Sequence, residues 1–190
     1  MSRVIAGTLG GRRLAVPAGR DTRPTSDRAR EGLFSTVQAL LGTLHGCRVA
    51  DLYAGSGAVG LEAISRGAAH ALLVEAQPRA AKVIRENIAA LGLAGEAELV
   101  VDKAERVVAR KPSAPYDLIF ADPPYAVSDE AVVELLETLG AGGWAADEAL
   151  VVIERATRGG PVRWPEGYTG ARERKYGEAT FWYGWYGRGE

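Results

Sequence analysis

Residues 48–60 read RVADLYAGSGAVG, an apolar run that ends in a carboxylate and continues into closely spaced glycines. Gly55, Gly57 and Gly60 form the pattern GxGxxG, which is typical of a strand leading into a helix. Glycines at such a junction let the backbone approach a ligand, which lies beyond the carboxyl ends of the strands. The stretch therefore predicts the first strand, the ligand-binding loop and the first helix of an α/β domain.

Beyond this stretch, short apolar runs alternate with helical patterns, as in a parallel sheet with helices on both faces. We expect an α/β, Rossmann-like fold with a mostly parallel sheet and a C-terminal antiparallel strand. The predicted strands are 48–53, 71–75, 98–101, 117–121 and 150–153, and the predicted helices are 57–66, 79–91, 103–110 and 129–139.

The two ends of the chain depart from this alternation. Residues 3–7 and 12–16 predict a small hairpin, and Pro24 opens a helix that runs to about Leu44. Near the other end, residues 168–175 and 179–186 predict an antiparallel pair. We therefore expect an N-terminal extension, residues 1–45, followed by a Rossmann-like domain, residues 46–190.

Composition limits the classes of protein that fit. The 190 residues are 47% hydrophobic and 25% charged, which suits one domain with a small appendage. No apolar run reaches the roughly 18 to 20 residues of a membrane span, so we expect a cytoplasmic chain with no membrane partner. One cysteine and two histidines exclude a disulfide framework and an ordinary His/Cys metal site, so we expect no metal.

Charge is distributed unevenly although the net formal charge is only −1. Residues 1–35 carry seven arginines against three acids, and residues 155–190 carry seven basic residues against four acidic ones. The middle of the chain is acidic. Basic ends favour a polyanionic partner, and an acidic centre favours a cationic small molecule, although an ordinary solvated surface also fits the pattern.

Carboxylates lie near the ends of three predicted strands: Asp51, Glu75 and Asp102. Asp51 would attract the ammonium of a methionine moiety but repel a pyrophosphate. Glu75 would accept hydrogen bonds from the ribose hydroxyls, and Asp102 would accept one from the adenine amino group. This favours S-adenosylmethionine, although the glycine pattern alone fits a nicotinamide or flavin site equally well.

The fourth predicted strand ends in Asp122-Pro123-Pro124-Tyr125. Two prolines remove two backbone donors and stiffen the chain, so that the Pro123 carbonyl points outward. That carbonyl and the Asp122 carboxylate can accept hydrogen bonds from the two N–H groups of an exocyclic amine. They would thereby orient its nitrogen toward a sulfonium methyl. Tyr125 can stack on the extruded base. The motif predicts amino methylation, with a rigid structural turn as the alternative.

With both motifs in place, the chain resembles the bacterial small-subunit ribosomal RNA guanine-N2 methyltransferases over nearly its whole length. The N-terminal segments RVIAG (3–7), GRRL (11–14), RPTSDRARE (23–31) and LF (33–34) carry the most specific part of this resemblance. Tyr53 stands where the family commonly has Phe, and Lys103 is a departure beside the predicted adenine site. The resemblance implies S-adenosylmethionine as methyl donor, guanine N2 as acceptor, and a partly assembled ribosomal subunit as partner.

The site residues predicted from the motifs and the resemblance form three sets. The catalytic set is Asp122, Pro123, Pro124 and Tyr125. The cofactor set is Asp51, Tyr53, Gly55, Ser56, Gly57, Glu75, Asp102 and Lys103. The nucleic-acid-binding set is the arginine patch Arg12, Arg13, Arg20, Arg23, Arg28 and Arg30.

The chemistry alone leaves other functions open. The same motif permits methylation of adenine or cytosine in DNA or other RNA. A nicotinamide oxidoreductase and a non-catalytic RNA-binding module also fit parts of the sequence. We expect a monomer.

Overall fold

The computed structural model describes residues 2–19 and 25–189. Contacts between residues divide the chain into two compact units, Met1–Ala104 and Glu105–Glu190. Residues 2–19 and 25–45 thus lie in the same unit as the glycine loop. The predicted boundary at residue 45 remains a prediction about which part of the chain contacts RNA.

The first unit consists of a small hairpin, a helix and an α/β segment. Its strand order is β5-β4-β3, and both strand pairs are parallel. Its elements are β1 (Ser2–Arg3), β2 (Arg13–Leu14), α1 (Asp27–Leu41), β3 (Arg48–Asp51), α2 (Ala58–Ser65), β4 (His70–Val74), α3 (Pro78–Leu91) and β5 (Ala97–Val100).

Helix α1 has a well-defined start and end. The Ser26 side chain accepts a hydrogen bond from the Ala29 amide at 3.1 Å and caps the helix. Gly42, with φ of +84°, ends it. The last helical residue, Leu41, lies three residues before the predicted end near Leu44. Pro24, predicted to open the helix, lies outside the described residues.

The hairpin is shorter than predicted because the backbone of residues 5–9 bonds to helix α2 instead of across the hairpin. The Ile5 and Ala6 amides donate to the Glu62 carboxylate at 2.8 and 3.1 Å. The Leu9 amide donates to Ser65 Oγ at 2.9 Å. Side chains on α2 therefore hold residues 2–15, the N-terminal segment, against the apolar cluster of this unit. That cluster includes the fully buried Val4, Leu14, Leu61, Leu73 and Ile84.

The second unit continues the alternation of strands and helices and ends in an antiparallel pair. Its strand order is β6-β7-β9-β8; β6 and β7 are parallel, and β9 is antiparallel to both of its neighbours. Helix α4 (Ala104–Val108) spans the boundary between the units, and the remaining elements are β6 (Tyr116–Ala121), α5 (Asp129–Ala141), β7 (Ala145–Ala156), β8 (Tyr168–Tyr176) and β9 (Ala179–Tyr186).

The predicted fold class is confirmed, with one large difference in length. Strand β7 has twelve residues, whereas the apolar run predicted only 150–153. Pairing with β9 extends from Ala149 to Ala156 and brings polar residues into the strand, and at its start Ala145 pairs with Tyr116 of β6. Among the described residues, no helix is both long enough and apolar enough to cross a membrane.

Candidate active site

The glycine loop between β3 and α2 is shaped by two residues with left-handed backbone. Gly55 has φ of +59° and Gly57 has φ of +83°, a region that favours glycine. A Cβ on Gly55 would meet no atom of the described residues within 4 Å, so a ligand can approach the backbone there. Gly60 serves a different purpose, because a Cβ on it would lie 2.1 Å from Leu73 Cδ2. The third glycine of the pattern therefore allows close packing of α2 on β4.

Glu75 follows strand β4 and holds the loop in place. Its Oε1 accepts a hydrogen bond from the Gly55 amide at 2.9 Å, and its Oε2 accepts one from the Gln77 amide at 2.7 Å. The carboxylate is half-buried, and each oxygen has a second lone pair. Glu75 thus lies where the prediction requires it, beside Gly55, with acceptor capacity left for hydroxyl groups.

Asp51 at the end of β3 is buried beneath the same loop. It is 1% exposed, and its Oδ2 accepts a hydrogen bond from the Gly60 amide at 3.2 Å near the start of α2. A carboxylate at this end of a helix is stabilised by the helix dipole. The contact gives Asp51 a role in holding the loop, while direct contact with a ligand ammonium stays a prediction.

The other predicted cofactor residues lie around these two. Asp102 Oδ1 accepts a hydrogen bond from the Lys103 amide at 2.8 Å, and the Lys103 side chain is exposed. Tyr53 is half-buried, and Ser56 is buried. No group of three or more His, Cys, Asp or Glu side chains arranged to hold a metal ion occurs within residues 2–19 and 25–189.

Asn87 on α3 is a further residue at this loop that the sequence did not single out. Its Nδ2 donates to the Ser56 carbonyl at 3.0 Å and to the Ala15 carbonyl at 2.9 Å, and its Oδ1 accepts from the Ala15 amide at 2.8 Å. The buried amide therefore joins the N-terminal segment to the glycine loop. The sequence offered one signal for this role, since Asn87 is a polar residue among the otherwise apolar buried positions of α3.

The Asp122-Pro123-Pro124-Tyr125 segment directly follows strand β6 in the second unit. Pro123 is buried, whereas the Tyr125 ring is 54% exposed. Arg155 contacts the backbone of this segment and of the residues that follow it. Its Nη1 lies 3.4 Å from the Pro124 carbonyl oxygen, and its Nη2 donates to the Val127 carbonyl at 2.6 Å. The segment thus presents a half-buried carboxylate and an exposed aromatic ring on a fixed backbone.

Glu154 is the carboxyl neighbour of Asp122. The parallel register pairs Ala121 with Ile153, which brings the next residues of β6 and β7 side by side. Their side chains share a hydrogen bond. Burial raises the pKa of Asp122 to about 6, although the Glu154 hydrogen bond and the Arg155 charge both oppose the rise. Burial, followed by the charge of Asp122 and the hydrogen bond to it, raises the pKa of Glu154 to about 9.

The sequence analysis missed Glu154 although a signal was present. A single carboxylate follows the apolar run 150–153, and a carboxylate in a buried strand needs a partner. The higher pKa of Glu154 favours the proton on Glu154 and the negative charge on Asp122 at neutral pH.

A cleft lies beside Tyr125 in the second unit and has a volume of about 170 Å³. Three arginines, Arg155, Arg158 and Arg163, contribute to its lining. Arg163 Nη2 lies 3.2 Å from Glu130 Oε1, whereas the Arg158 side chain is exposed. The lining also includes Asp129, whose Oδ1 lies 3.6 Å from Arg155 Nη2, so acidic groups offset part of the positive charge of the cleft.

The predicted arginine patch separates into three groups. Arg12, Arg13 and Arg28 are exposed, and Arg12 also donates to the Ala90 carbonyl at 2.8 Å. Arg20 and Arg23 lie outside the described residues. The prediction that Arg30 contacts phosphate is corrected by its burial.

Arg30 is fully buried, and protein groups surround its guanidinium. Its Nε lies 3.4 Å from Glu62 Oε1, and its Nη1 lies 3.3 Å from Ser2 Oγ. Its Nη2 donates to the Arg3 carbonyl and lies 3.2 Å from Asp27 Oδ1. Arg30 therefore stabilises the N-terminal segment instead of facing a ligand.

Comparison with known proteins gives concordant matches over most of the chain. The family model described as conserved hypothetical protein 95 matches residues 2–185. Ribosomal RNA small subunit methyltransferase D of Escherichia coli (strain K12) is 37% identical over 180 residues, which are 94% of this chain and 87% of that protein.

Solved structures agree with the sequence matches. One from Escherichia coli has a TM-score of 0.84 and 34% identity and covers 97% of both chains. An RNA methyltransferase from Salinibacter ruber, solved in complex with S-adenosyl-L-homocysteine, has a TM-score of 0.61 and 15% identity. That match covers 85% of this chain and 92% of the other, and it shows the same fold.

Proposed function

This chain belongs to the family described as conserved hypothetical protein 95, and we propose that it transfers a methyl group from S-adenosylmethionine to the exocyclic N2 of a guanine in small-subunit ribosomal RNA. The observation that carries the proposal is the Asp122-Pro123-Pro124-Tyr125 segment at the end of β6, with its half-buried carboxylate and exposed ring. The likeness to a named small-subunit ribosomal RNA methyltransferase supports the substrate class.

The first unit supplies the residues proposed to bind the cofactor. When bound, S-adenosylmethionine supplies an electrophilic methyl group on a sulfonium. Glu75 holds the Gly55 amide and retains lone pairs for the ribose hydroxyls. Asp51 adds negative charge beneath the loop, which favours the cationic amino-acid end of the ligand. Asp102 accepts a hydrogen bond from the adenine amino group.

The second unit supplies the residues proposed to act on the amino group. The Asp122 carboxylate accepts one N–H of the amine, and the Pro123 carbonyl accepts the other, so that the nitrogen lone pair is directed at the methyl group. As the N–C bond forms, positive charge develops on the nitrogen, and the negative charge of Asp122 stabilises it. Asp122 then accepts the proton, and Tyr125 stacks on the base.

Ribosomal RNA is the proposed partner, bound as part of a partly assembled small subunit by a monomer acting in the cytoplasm. The exposed Arg12, Arg13 and Arg28 in the first unit and the exposed Arg158 in the second are proposed phosphate contacts, because guanidinium groups neutralise phosphate charge. Arg30 is not included, since its guanidinium is buried.

The test is transfer of labelled methyl from S-adenosylmethionine to immature small subunits, naked ribosomal RNA and DNA in parallel, followed by digestion to nucleosides. Label in N2-methylguanosine from the subunits is the expected result. Label in a methylated adenine or cytosine would contradict the proposed acceptor. Label in none of the three would contradict methyl transfer to nucleic acid.

The melting temperature gives a separate test of the cofactor. A ligand that binds the folded chain raises the melting temperature in a concentration-dependent way. We expect S-adenosylmethionine to raise it and NAD to leave it unchanged. The opposite pattern would favour a nicotinamide oxidoreductase.

A further inference from the structure

Glu154 lies in a part of strand β7 where a carboxyl group is costly. It is 8% exposed and directly follows the buried Val151, Val152 and Ile153. An ionised carboxylate at such a place is strongly destabilising unless it is paired. The chain keeps an acid here although an apolar residue would pack more simply.

The surroundings of Glu154 determine which acid of the pair holds the proton. The charged groups near it are Asp122, with which it shares a hydrogen bond, and Arg155, which acts on Asp122. The register with the adjacent strand β9 places Phe181 opposite Glu154 and Tyr183 opposite Val152. Because Glu154 is the more buried acid and Arg155 favours the charge on Asp122, the proton belongs on Glu154.

One oxygen of the Glu154 carboxyl group has no donor beside it in the described part of the chain. Glu154 Oε2 is buried and has no hydrogen-bond partner among residues 2–19 and 25–189. Buried polar atoms are normally satisfied, by water or ligand where protein does not serve. An ionised Glu154 would leave charge on this oxygen with no donor among the described residues, which favours the neutral acid.

We propose that protonated Glu154 is a positioning residue for the proposed amino methylation, donating the hydrogen bond that fixes the Asp122 carboxylate toward the substrate amine. The inference rests on the proposed function. In the reaction the N–C bond forms as the S–C bond breaks, and the electron pair of that bond remains on sulfur. The N–H proton then passes to Asp122, so that both acids are neutral until water removes the proton.

Infrared spectroscopy tests the protonation without any substrate. The carbonyl stretch of a protonated carboxylic acid is separate from the bands of ionised carboxylates. At pH 7 the difference spectrum between the natural chain and Glu154→Gln should show the loss of one protonated acid, whereas Glu173→Gln, at an exposed position on β8, should show none. The absence of such a loss in Glu154→Gln would overturn the proposal, whether or not the chain methylates RNA.

Kinetics test the positioning role with two replacements of different chemistry. Glu154→Gln keeps a donor of the same shape, and Glu154→Leu removes it. At pH 7 we expect Glu154→Gln to retain kcat within about threefold, and Glu154→Leu to lose about 100-fold, as for a misplaced catalytic group. The affinity for S-adenosylmethionine, followed by the melting temperature, should be unchanged in both.

The alkaline pH dependence separates positioning from a merely structural role. As the pH rises through about 9, natural Glu154 loses its proton and the rate should fall, whereas Glu154→Gln should keep its rate. Equal kcat in the natural chain and Glu154→Leu, or an identical alkaline fall in Glu154→Gln, would overturn the proposal. If the natural chain transfers no methyl, the proposed function fails, and the infrared result still decides the protonation.

Discussion

Asp122 has to remain charged in a place that is poorly solvated. Burial raises its pKa to about 6, while the Glu154 hydrogen bond and the Arg155 guanidinium act in the opposite direction. The result is a carboxylate that is ionised at neutral pH and more basic than an exposed one. Such a group suits the acceptance of a proton from a methylated amine.

Asp122→Asn should slow methyl transfer strongly while leaving S-adenosylmethionine binding intact. The amide has nearly the same shape but lacks the negative charge and cannot accept the proton. We expect kcat to fall by about 100- to 1000-fold, as when a group that stabilises transition-state charge is removed. Single-turnover transfer measures the rate, and the melting temperature with and without S-adenosylmethionine serves as the control. Full activity in this variant would remove Asp122 from catalysis.

Glu154 should make the chain less stable as the pH rises. Its folded pKa of about 9 lies above its ordinary value of 4.5, so the folded state holds a proton that the unfolded state has released between these two values. The free energy of unfolding therefore falls with pH in that window, by up to about 1.4 kcal/mol per pH unit.

Urea unfolding from pH 5 to 9 measures this dependence. Glu154→Gln should flatten it, because the amide does not titrate. Parallel curves for the natural chain and Glu154→Gln would show that Glu154 is ionised in the folded state.

Residues with a local sequence signature were predictable, and residues defined by contacts between elements were not. Glu75 lies beside Gly55 as expected, because parallel strands end at the same edge of a sheet. Glu154 and Asn87 had weak signals in the sequence, but their partners became visible only with the strand register and the packing of the N-terminal segment. Arg30 was wrongly placed in the RNA-binding set because its neighbours in sequence do not reveal the buried Glu62.

At the scale of elements, the close approach of α2 and β4 depends on Gly60. Alanine in a helix is ordinarily more stable than glycine by about 0.5–1 kcal/mol. Here the added methyl would lie 2.1 Å from Leu73 Cδ2, so that overpacking outweighs the gain. Gly60→Ala should therefore destabilise the chain by about 1–3 kcal/mol.

Urea unfolding checks this expectation against a matched control. Gly95→Ala adds the same methyl at a position where no described atom lies within 4 Å. That variant should keep the natural midpoint. A Gly60→Ala variant as stable as the natural chain would show that Leu73 can move aside without cost.

The packing of α1 on α2 rests on a buried ionic cluster. Glu62 lies between Arg30 and Arg66, with N–O distances of 3.4 and 3.0 Å. Removing Arg30 takes away one of the two guanidinium partners of the buried Glu62 and leaves a cavity, so Arg30→Ala should cost about 3 kcal/mol, the lower end for a broken buried ion pair. Arg28→Ala, at an exposed position of the same helix, should change stability by less than about 0.5 kcal/mol. Equal unfolding midpoints for the two variants would contradict the buried role of Arg30.

The elements themselves were predictable, because capping residues and periodicity are local. Ser26 and Ser128 cap α1 and α5, and the glycine loop opens α2. The lengths of β7 and of the hairpin were wrong because they depend on partners distant in sequence. Strand β7 owes its length to pairing with both β6 and β9, and the hairpin is short because Glu62 and Ser65 on α2 bind its backbone.

At the scale of the whole molecule, RNA binding has to come from local positive patches, because the net charge is only −1. Alanine at Arg12, Arg13 or Arg28 should weaken RNA binding and flatten its salt dependence. Removing one arginine that neutralises a phosphate should lower the slope of log K against log salt by about 0.7 to 0.9. Lys111→Ala, an exposed change in the acidic middle segment, is the control. Unchanged slopes in the arginine variants would exclude them from the RNA-binding surface.

We propose that this chain methylates guanine N2 in small-subunit ribosomal RNA, with Asp122 acting on the amine. The most direct measurement is the N2-methylguanosine content of that RNA in cells that produce either the natural chain or Asp122→Asn as their only copy. We expect N2-methylguanosine to disappear from one position of the RNA in the variant cells while the chain is still produced. The same N2-methylguanosine content in both kinds of cell would contradict it.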